Sequence, residues 1–80
     1  GKEIDAVIEM PDGGWCAFEI KLGANQIDDA ANNLLGIKRA FEEDPKAKPP
    51  EILCVLCGLT SAAYHRPDGV YVVPITALRN

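Results

Sequence analysis

Charged side chains occupy alternate positions in two short segments near the start of the chain. Glu3 and Asp5 lie in the first segment, and Glu19 and Lys21 lie in the second. Each segment alternates polar and apolar residues, which is typical of a half-buried β-strand. Carboxylates are preferred ligands of hard divalent cations, and a lysine can offset the charge of a phosphate. These residue types together indicate metal-assisted hydrolysis of a phosphodiester.

The residues that join the two segments predict a turn, so residues 2–22 are interpreted as one β-hairpin. A two-residue loop, Asp12-Gly13, would place apolar residues opposite charged ones. A three-residue loop, Pro11-Asp12-Gly13 with Gly13 left-handed, keeps like residues on one face. We expect the buried face to be the apolar, even-numbered one, which comprises Ile4, Ala6, Ile8, Met10, Cys16, Phe18, Ile20 and Leu22.

This register sets Asp5 opposite Glu19 and Glu3 opposite Lys21. Two carboxylates whose Cβ atoms are roughly 5 Å apart destabilise a strand pair unless positive charge lies between them. Mg²⁺ or Mn²⁺ would supply that charge. A second interpretation stays open, in which these charged side chains are only the solvated face of a hairpin.

The rest of the chain predicts one long helix and two further strands. Apolar residues recur at helical spacing over residues 26–43, with Asn25 as the expected N-cap. The apolar run 51–58 predicts a buried central strand, parallel to the hairpin's second strand, and 70–73 predicts a last strand. Residues 64–69 are interpreted as a surface turn. The expected fold is α/β with a mixed four-stranded sheet.

Asp5 together with Glu19-Ile20-Lys21 resembles the PD-(D/E)xK restriction-endonuclease-like superfamily. More narrowly, residues 1–5, 18–21 and 68–75 are similar to the C-terminal domain of uncharacterised prokaryotic AAA+-type ATPases. The resemblance covers most of the chain. It implies a restriction-endonuclease-like core that lacks its first helix.

The resemblance also implies a set of site residues. Asp5 and Glu19 would hold Mg²⁺ or Mn²⁺ with the backbone carbonyl of Ile20, and Lys21 would orient the attacking water. Glu3 would assist a second metal or pair with Lys21. Gln26 begins the helix and could reach the same site, although a surface glutamine in a first helical turn is the alternative interpretation.

The function that follows is a metal-dependent phosphodiesterase, a nuclease acting on DNA and appended to an ATPase. Residues 1–80 would be a single domain and a fragment of a longer ATPase chain. The net charge of −4 gives no basic face for DNA, so either the parent protein binds the DNA or nucleic acid is not the ligand. The same charge favours the alternative, an inactive endonuclease-like module that docks to or regulates the ATPase.

The cysteine content indicates a cytoplasmic protein. Cys16, Cys54 and Cys57 are odd in number, which excludes a complete disulfide framework. Cys54 and Cys57 would point to opposite faces of a strand and could not share a metal. No stretch is long enough to span a membrane. A sheet edge left uncovered by the missing helix favours a homo-oligomer.

Overall fold

The computed structural model describes residues 4–58, 60 and 62–78. Five strands form one mixed sheet in the order β1-β2-β3-β5-β4. The strands are β1 (Ala6–Glu9), β2 (Trp15–Lys21), β3 (Ile52–Cys57), β4 (Tyr64–His65) and β5 (Tyr71–Pro74). One helix, α1 (Ile27–Glu42), connects β2 to β3, and short 3-10 turns span Ala24–Gln26 and Ile75–Leu78. The α/β class is confirmed, and the predicted count of four strands is wrong by one.

The additional strand is β4, which the sequence predicted to be part of a turn. Tyr64 and His65 pair antiparallel with β5, and the Arg66 N–H donates to the Val70 carbonyl at 2.8 Å. The Gly69 N–H donates to the Arg66 carbonyl at 3.0 Å, and Gly69 closes the turn with a φ of 95°, which glycine adopts readily. The His65 ring stacks on the ring of Tyr71 with centroids 4.1 Å apart.

The predicted register of the first hairpin is confirmed. The Met10 N–H donates to the Gly14 carbonyl at 2.8 Å, and Gly13 closes the three-residue loop with a φ of 89°. Ala6 pairs with Phe18 at the end of β1, so the predicted opposition of Asp5 and Glu19, one residue further, stays a prediction. The turn chemistry and the residue parity were therefore sufficient to align the two strands.

β3 is the central strand of the sheet and runs parallel to both β2 and β5. Its residues Leu53, Val55 and Cys57 are almost completely buried. The helix crossover and the parallel pairing agree with the prediction, because two parallel strands cannot be joined by a short turn.

α1 covers the face of the sheet that the sequence pattern marked as the charged one. Ala17, Val55 and Val72 form one buried cluster with Ala31 and Leu34 of the helix. The expectation that the even-numbered residues of the hairpin form the buried face is therefore wrong for Ile8, Ile20 and Leu22, although Cys16 is buried. Small side chains decide the outcome, since Ala17 and Ala31 are both 0% exposed and let the helix approach the sheet closely.

The opposite face of the sheet keeps large apolar side chains in solvent. Ile8 is 55% exposed, Ile20 46% and Leu22 75%. Ile52 and Tyr71 also lie on this face by register, and both are exposed. No helix among the described residues covers it. We call these five residues, Ile8, Ile20, Leu22, Ile52 and Tyr71, the open face.

The helix begins one residue later and ends one residue earlier than predicted. A 3-10 turn precedes it, and Gly23 rather than Asn25 is the capping residue of that turn. The Gly23 N–H donates to Oε1 of Gln26 at 3.2 Å. The N-cap of α1 itself is Gln26, which makes no side-chain capping hydrogen bond, so the predicted N-cap role of Asn25 is wrong.

The three cysteines are free thiols and all are buried. Burial, and to a lesser extent the neighbouring thiol of Cys16, raise the pKa of Cys54 to about 11. Cys57 belongs to the cluster under the helix, whereas Cys54 lies on the other face of β3. The helix in the described part of the chain is not long and apolar enough to cross a membrane.

Arg66 ties the β4–β5 hairpin to the start of the helix. Its guanidinium donates to Oδ1 of Asp28 at 2.6 Å and to Oδ2 of Asp68 at 3.0 Å. The hydrogen bond from Arg66 lowers the pKa of Asp68, and the bonds to Asp68 and then Asp28 raise the pKa of Arg66. The Asp68 carboxylate also accepts the Val70 N–H at 3.1 Å, which fixes the turn.

We expect Asp68→Asn to lower the free energy of unfolding by about 1 kcal/mol at neutral pH, because a charge-assisted hydrogen bond becomes a neutral one. The folded pKa of Asp68 lies below its unfolded value of about 4. Its contribution is therefore complete above that pH and is lost as the pH falls through the folded pKa. Urea unfolding between pH 2 and pH 7 measures both effects.

Glu42→Gln is the matched control, since Glu42 is an exposed carboxylate. It should unfold with the wild-type pH dependence. If Asp68→Asn and the wild type lose stability in parallel below pH 4, the ion pair does not stabilise the hairpin.

Candidate functional site

Glu19 is the only buried charged residue in the described part of the chain. It is 7% exposed because α1 packs over the odd-numbered face of β2. Its Oε2 atom accepts a hydrogen bond from the Asn33 side-chain amide of α1 at 2.7 Å. A buried carboxylate requires such partners, since an unpaired one would cost several kcal/mol. The interpretation of Glu19 as part of a merely solvated face is therefore wrong.

Lys21 lies two residues further along the same face of β2. Its Nζ atom is 3.8 Å from Oε1 of Glu19, and its side chain is 32% exposed. This distance exceeds that of a direct hydrogen bond, so the ammonium acts on the carboxylate through charge alone. The two oxygens of Glu19 thus have different neighbours, an amide on one side and a cation on the other.

Asp5 stands at the end of the β1–β2 ladder. Its N–H donates to the Phe18 carbonyl at 3.1 Å, and its Oδ2 accepts the Ile20 N–H at 2.9 Å. Where the regular β1–β2 hydrogen bonding ends, the Asp5 carboxylate therefore accepts the Ile20 N–H in place of a backbone carbonyl of the partner strand. Because N–H and C=O of one strand residue point to the same edge, the Ile20 carbonyl faces the Asp5 side of β2.

The two supporting residues are placed differently. Glu3 lies outside the described residues, so its predicted position opposite Lys21 stays a prediction. Gln26 is exposed, and its Oε1 atom accepts the Gly23 N–H, which is a local bond at the start of the helical segment. Its predicted role at the site also stays a prediction.

Asp5, Glu19 and the Ile20 carbonyl are the oxygen donors that could hold a divalent metal. Within residues 4–58, 60 and 62–78, no three His, Cys, Asp or Glu side chains group closely enough to hold an ion together. Mg²⁺ commonly binds through one or two carboxylates and keeps several waters. Asp5 and Glu19 are two carboxylates of this kind, and the Ile20 carbonyl is a third oxygen donor, so the donor chemistry suits Mg²⁺ or Mn²⁺. Asp5 is exposed, Glu19 is 7% exposed, and the described residues form no pocket over them.

Asn33 was missed by the sequence analysis. It lies between Ala30 and Ile37, both of which are buried on the face of α1 that packs on the sheet. A polar residue within an apolar helical stripe must find a buried partner. That rule could have indicated Asn33 as a contact of the sheet, although not which residue it meets.

The comparisons with known proteins place the chain in a family. A family model described as a domain of unknown function, DUF4143, matches residues 1–78. The chain belongs to the DUF4143 family. No curated protein matches it, and no solved structure does. The functional argument for this DUF4143 domain therefore rests on the geometry of Asp5, Glu19 and Lys21.

We expect Glu19→Ala to lower the free energy of unfolding of the DUF4143 domain by about 2 kcal/mol, because the Asn33 amide loses a charged acceptor in a buried position. Glu19→Gln should cost less, since its amide oxygen can still accept that bond. Chemical denaturation monitored by the fluorescence of Trp15 measures both.

Glu9→Ala serves as the control, because Glu9 is an exposed carboxylate on the edge strand β1. Equal stabilities for Glu19→Ala and Glu9→Ala would contradict a stabilising Glu19–Asn33 bond.

Proposed function

We propose that this DUF4143 domain is a metal-dependent phosphodiesterase, a nuclease-like hydrolase acting on DNA. The observation that carries the proposal is the contact of the Asp5 carboxylate with the Ile20 N–H at 2.9 Å, with Nζ of Lys21 3.8 Å from the Glu19 carboxylate of the same strand. Two acids and one cation at the end of a strand pair are the set of groups that phosphodiester hydrolysis requires.

Each residue has a separate role in the proposal. Asp5 and Glu19 hold Mg²⁺ or Mn²⁺ with the Ile20 carbonyl, and the bound ion supplies an activated water and positive charge at the phosphate. Lys21 orients that water and offsets charge on the phosphate oxygens. Partial exposure suits Lys21, because its ammonium must reach a substrate that arrives from solvent.

The fold supports a restriction-endonuclease-like core. An antiparallel pair β1–β2, a helix and a parallel strand β3 follow one another along the chain. This is the order in which that core would carry Asp on one strand and Glu-x-Lys on the next. The assignment to the PD-(D/E)xK superfamily remains part of the proposal.

DNA would be held outside this chain. The net charge of −4 supplies few cations to neutralise phosphates. We therefore propose that an AAA+-type ATPase domain in the same longer chain binds the DNA, and that the DUF4143 domain supplies the metal-binding carboxylates. Homo-oligomerisation would bring a second copy of the site to the same duplex.

Calorimetric titration of Mn²⁺ and Mg²⁺ into the domain tests the metal site. We expect binding in the wild type and a loss of at least about tenfold in affinity for Asp5→Asn and for Glu19→Gln, because each removes one anionic ligand. Lys21→Met should keep the metal and abolish cleavage of a DNA substrate by the ATPase-linked protein.

Asp29→Asn is the control, since Asp29 is an exposed carboxylate in the first turn of α1. It should bind metal as the wild type does. A folded wild type that binds neither ion at millimolar concentration would refute the proposed metal site.

A second candidate function is a non-catalytic module that docks to the ATPase domain and regulates it. The observation that favours it is the open face, where Ile8, Ile20 and Tyr71 remain exposed. An exposed apolar surface of this kind commonly marks an interaction site. The acidic net charge is consistent with this role as well.

The docking function predicts that Ile20→Asp weakens binding of the domain to the separately produced ATPase domain by more than about tenfold, since a buried charge without a partner opposes association. Val7→Asp is the control, because Val7 is 53% exposed on the other side of β1. Isothermal titration measures both. Self-association through the open face, with no affinity for the ATPase domain, would reject this candidate.

A further inference from the structure

Asn33 contacts the candidate site from outside it. It projects from α1, and its Nδ2 atom is 2.7 Å from Oε2 of Glu19. Asn33 itself is half-buried, whereas its neighbour Asn32 is exposed. The two asparagines are adjacent in sequence, yet only one of them faces the sheet.

The hydrogen bond restricts the conformation of Glu19. A glutamate has three rotatable side-chain bonds, and burial under α1 removes most of the alternative rotamers. The bond to Asn33 then fixes the orientation of the carboxylate plane, with Oε2 toward the helix. Oε1 is left on the side of Lys21, whose Nζ is 3.8 Å away.

We infer that Asn33 is a positioning residue, which holds the Glu19 carboxylate so that Oε1 is presented toward the metal ion and Lys21. The inference rests on the proposed function, because it assigns to Asn33 a role at that same metal site. Partners that orient a ligating carboxylate typically change metal affinity by 10- to 100-fold when they are removed. The backbone of β2 cannot replace Asn33, since its N–H and C=O groups lie in the plane of the sheet and pair with β1 and β3.

The position of Asn33 also links the site to the helix as a whole. The start of α1 is held through Asp28 by Arg66, and its buried face is held by the core. Asn33 follows Asp28 on the helix and directly precedes Leu34 of the core. The amide is therefore fixed before any ion arrives, which is the condition for an orienting group.

The test compares three variants by calorimetric titration with Mn²⁺. Asn33→Leu keeps nearly the same volume and removes the donor, and we expect it to weaken the binding of Mn²⁺ by about tenfold. Asn33→Ala should do the same if it folds. Asn32→Ala is the matched control and should bind Mn²⁺ with wild-type affinity.

A spectroscopic measurement separates positioning from a general structural effect. On titration with Mg²⁺, the side-chain amide resonances of Asn33 should shift with the midpoint found by calorimetry, and those of Asn32 should not. In Glu19→Gln the shift of Asn33 should disappear, because the carboxylate that accepts its hydrogen bond and would hold the ion is gone.

The outcomes distinguish this inference from the proposed function. If the wild type binds Mn²⁺ and Asn33→Leu binds it equally well, the positioning role is wrong and the metal site stands. If the Asn33 resonances do not move while Mg²⁺ binds, the positioning role is again wrong. A folded wild type that binds no ion overturns both.

Discussion

The packing of α1 against the odd-numbered face of β2 is the constraint on which the rest of the structure depends. It places the small side chain of Ala17 beneath the helix and forces Glu19 into a nearly dry position. A buried carboxylate must be satisfied, and Asn33 provides the nearest described donor. The same packing leaves Ile20 on the opposite side, in solvent. The packing of α1 on one face of the sheet thus accounts for both the burial of Glu19 and the exposure of the open face.

The two faces of the sheet consequently have different chemistry. The face under α1 combines a dry apolar cluster with one acid at its end, and Lys21 stands where that face meets solvent. The open face is apolar without a cover among the described residues. A catalytic function would use the first face and a docking function the second, so the two proposed functions do not compete for the same side chains.

Local rules predicted the parts of the fold that depend on neighbouring residues. Residue parity and the Pro11-Asp12-Gly13 loop determined the hairpin register, from Ala6 opposite Phe18 to Glu9 opposite Trp15. The helix was predicted to within one residue at each end, because its apolar spacing extends over its whole length.

The parts that were not predicted depend on contacts distant in sequence. A two-residue strand such as β4 has no periodicity, so only its pairing with β5 reveals it. The face chosen by α1 depends on which side chains are small enough to meet the helix, and the even-numbered face was the more apolar one in sequence. Asn33 could be recognised as a residue in need of a partner, whereas the identity of Glu19 as that partner required the tertiary structure.

The central position of β3 has a consequence for the order in which the chain folds. Both of its neighbours are parallel to it. Cys16 of β2 pairs with Ile52 of β3, and the helix and the loop after it lie between them in the sequence. The hairpins β1–β2 and β4–β5 close through short turns, so each can form early and independently. The sheet becomes continuous only when β3 enters between the two hairpins. The chain must lose the conformational entropy of closing the long connection from β2 to β3 before the contacts of β3 form. The arrival of β3 is therefore the step at which two separate hairpins become one cooperative unit.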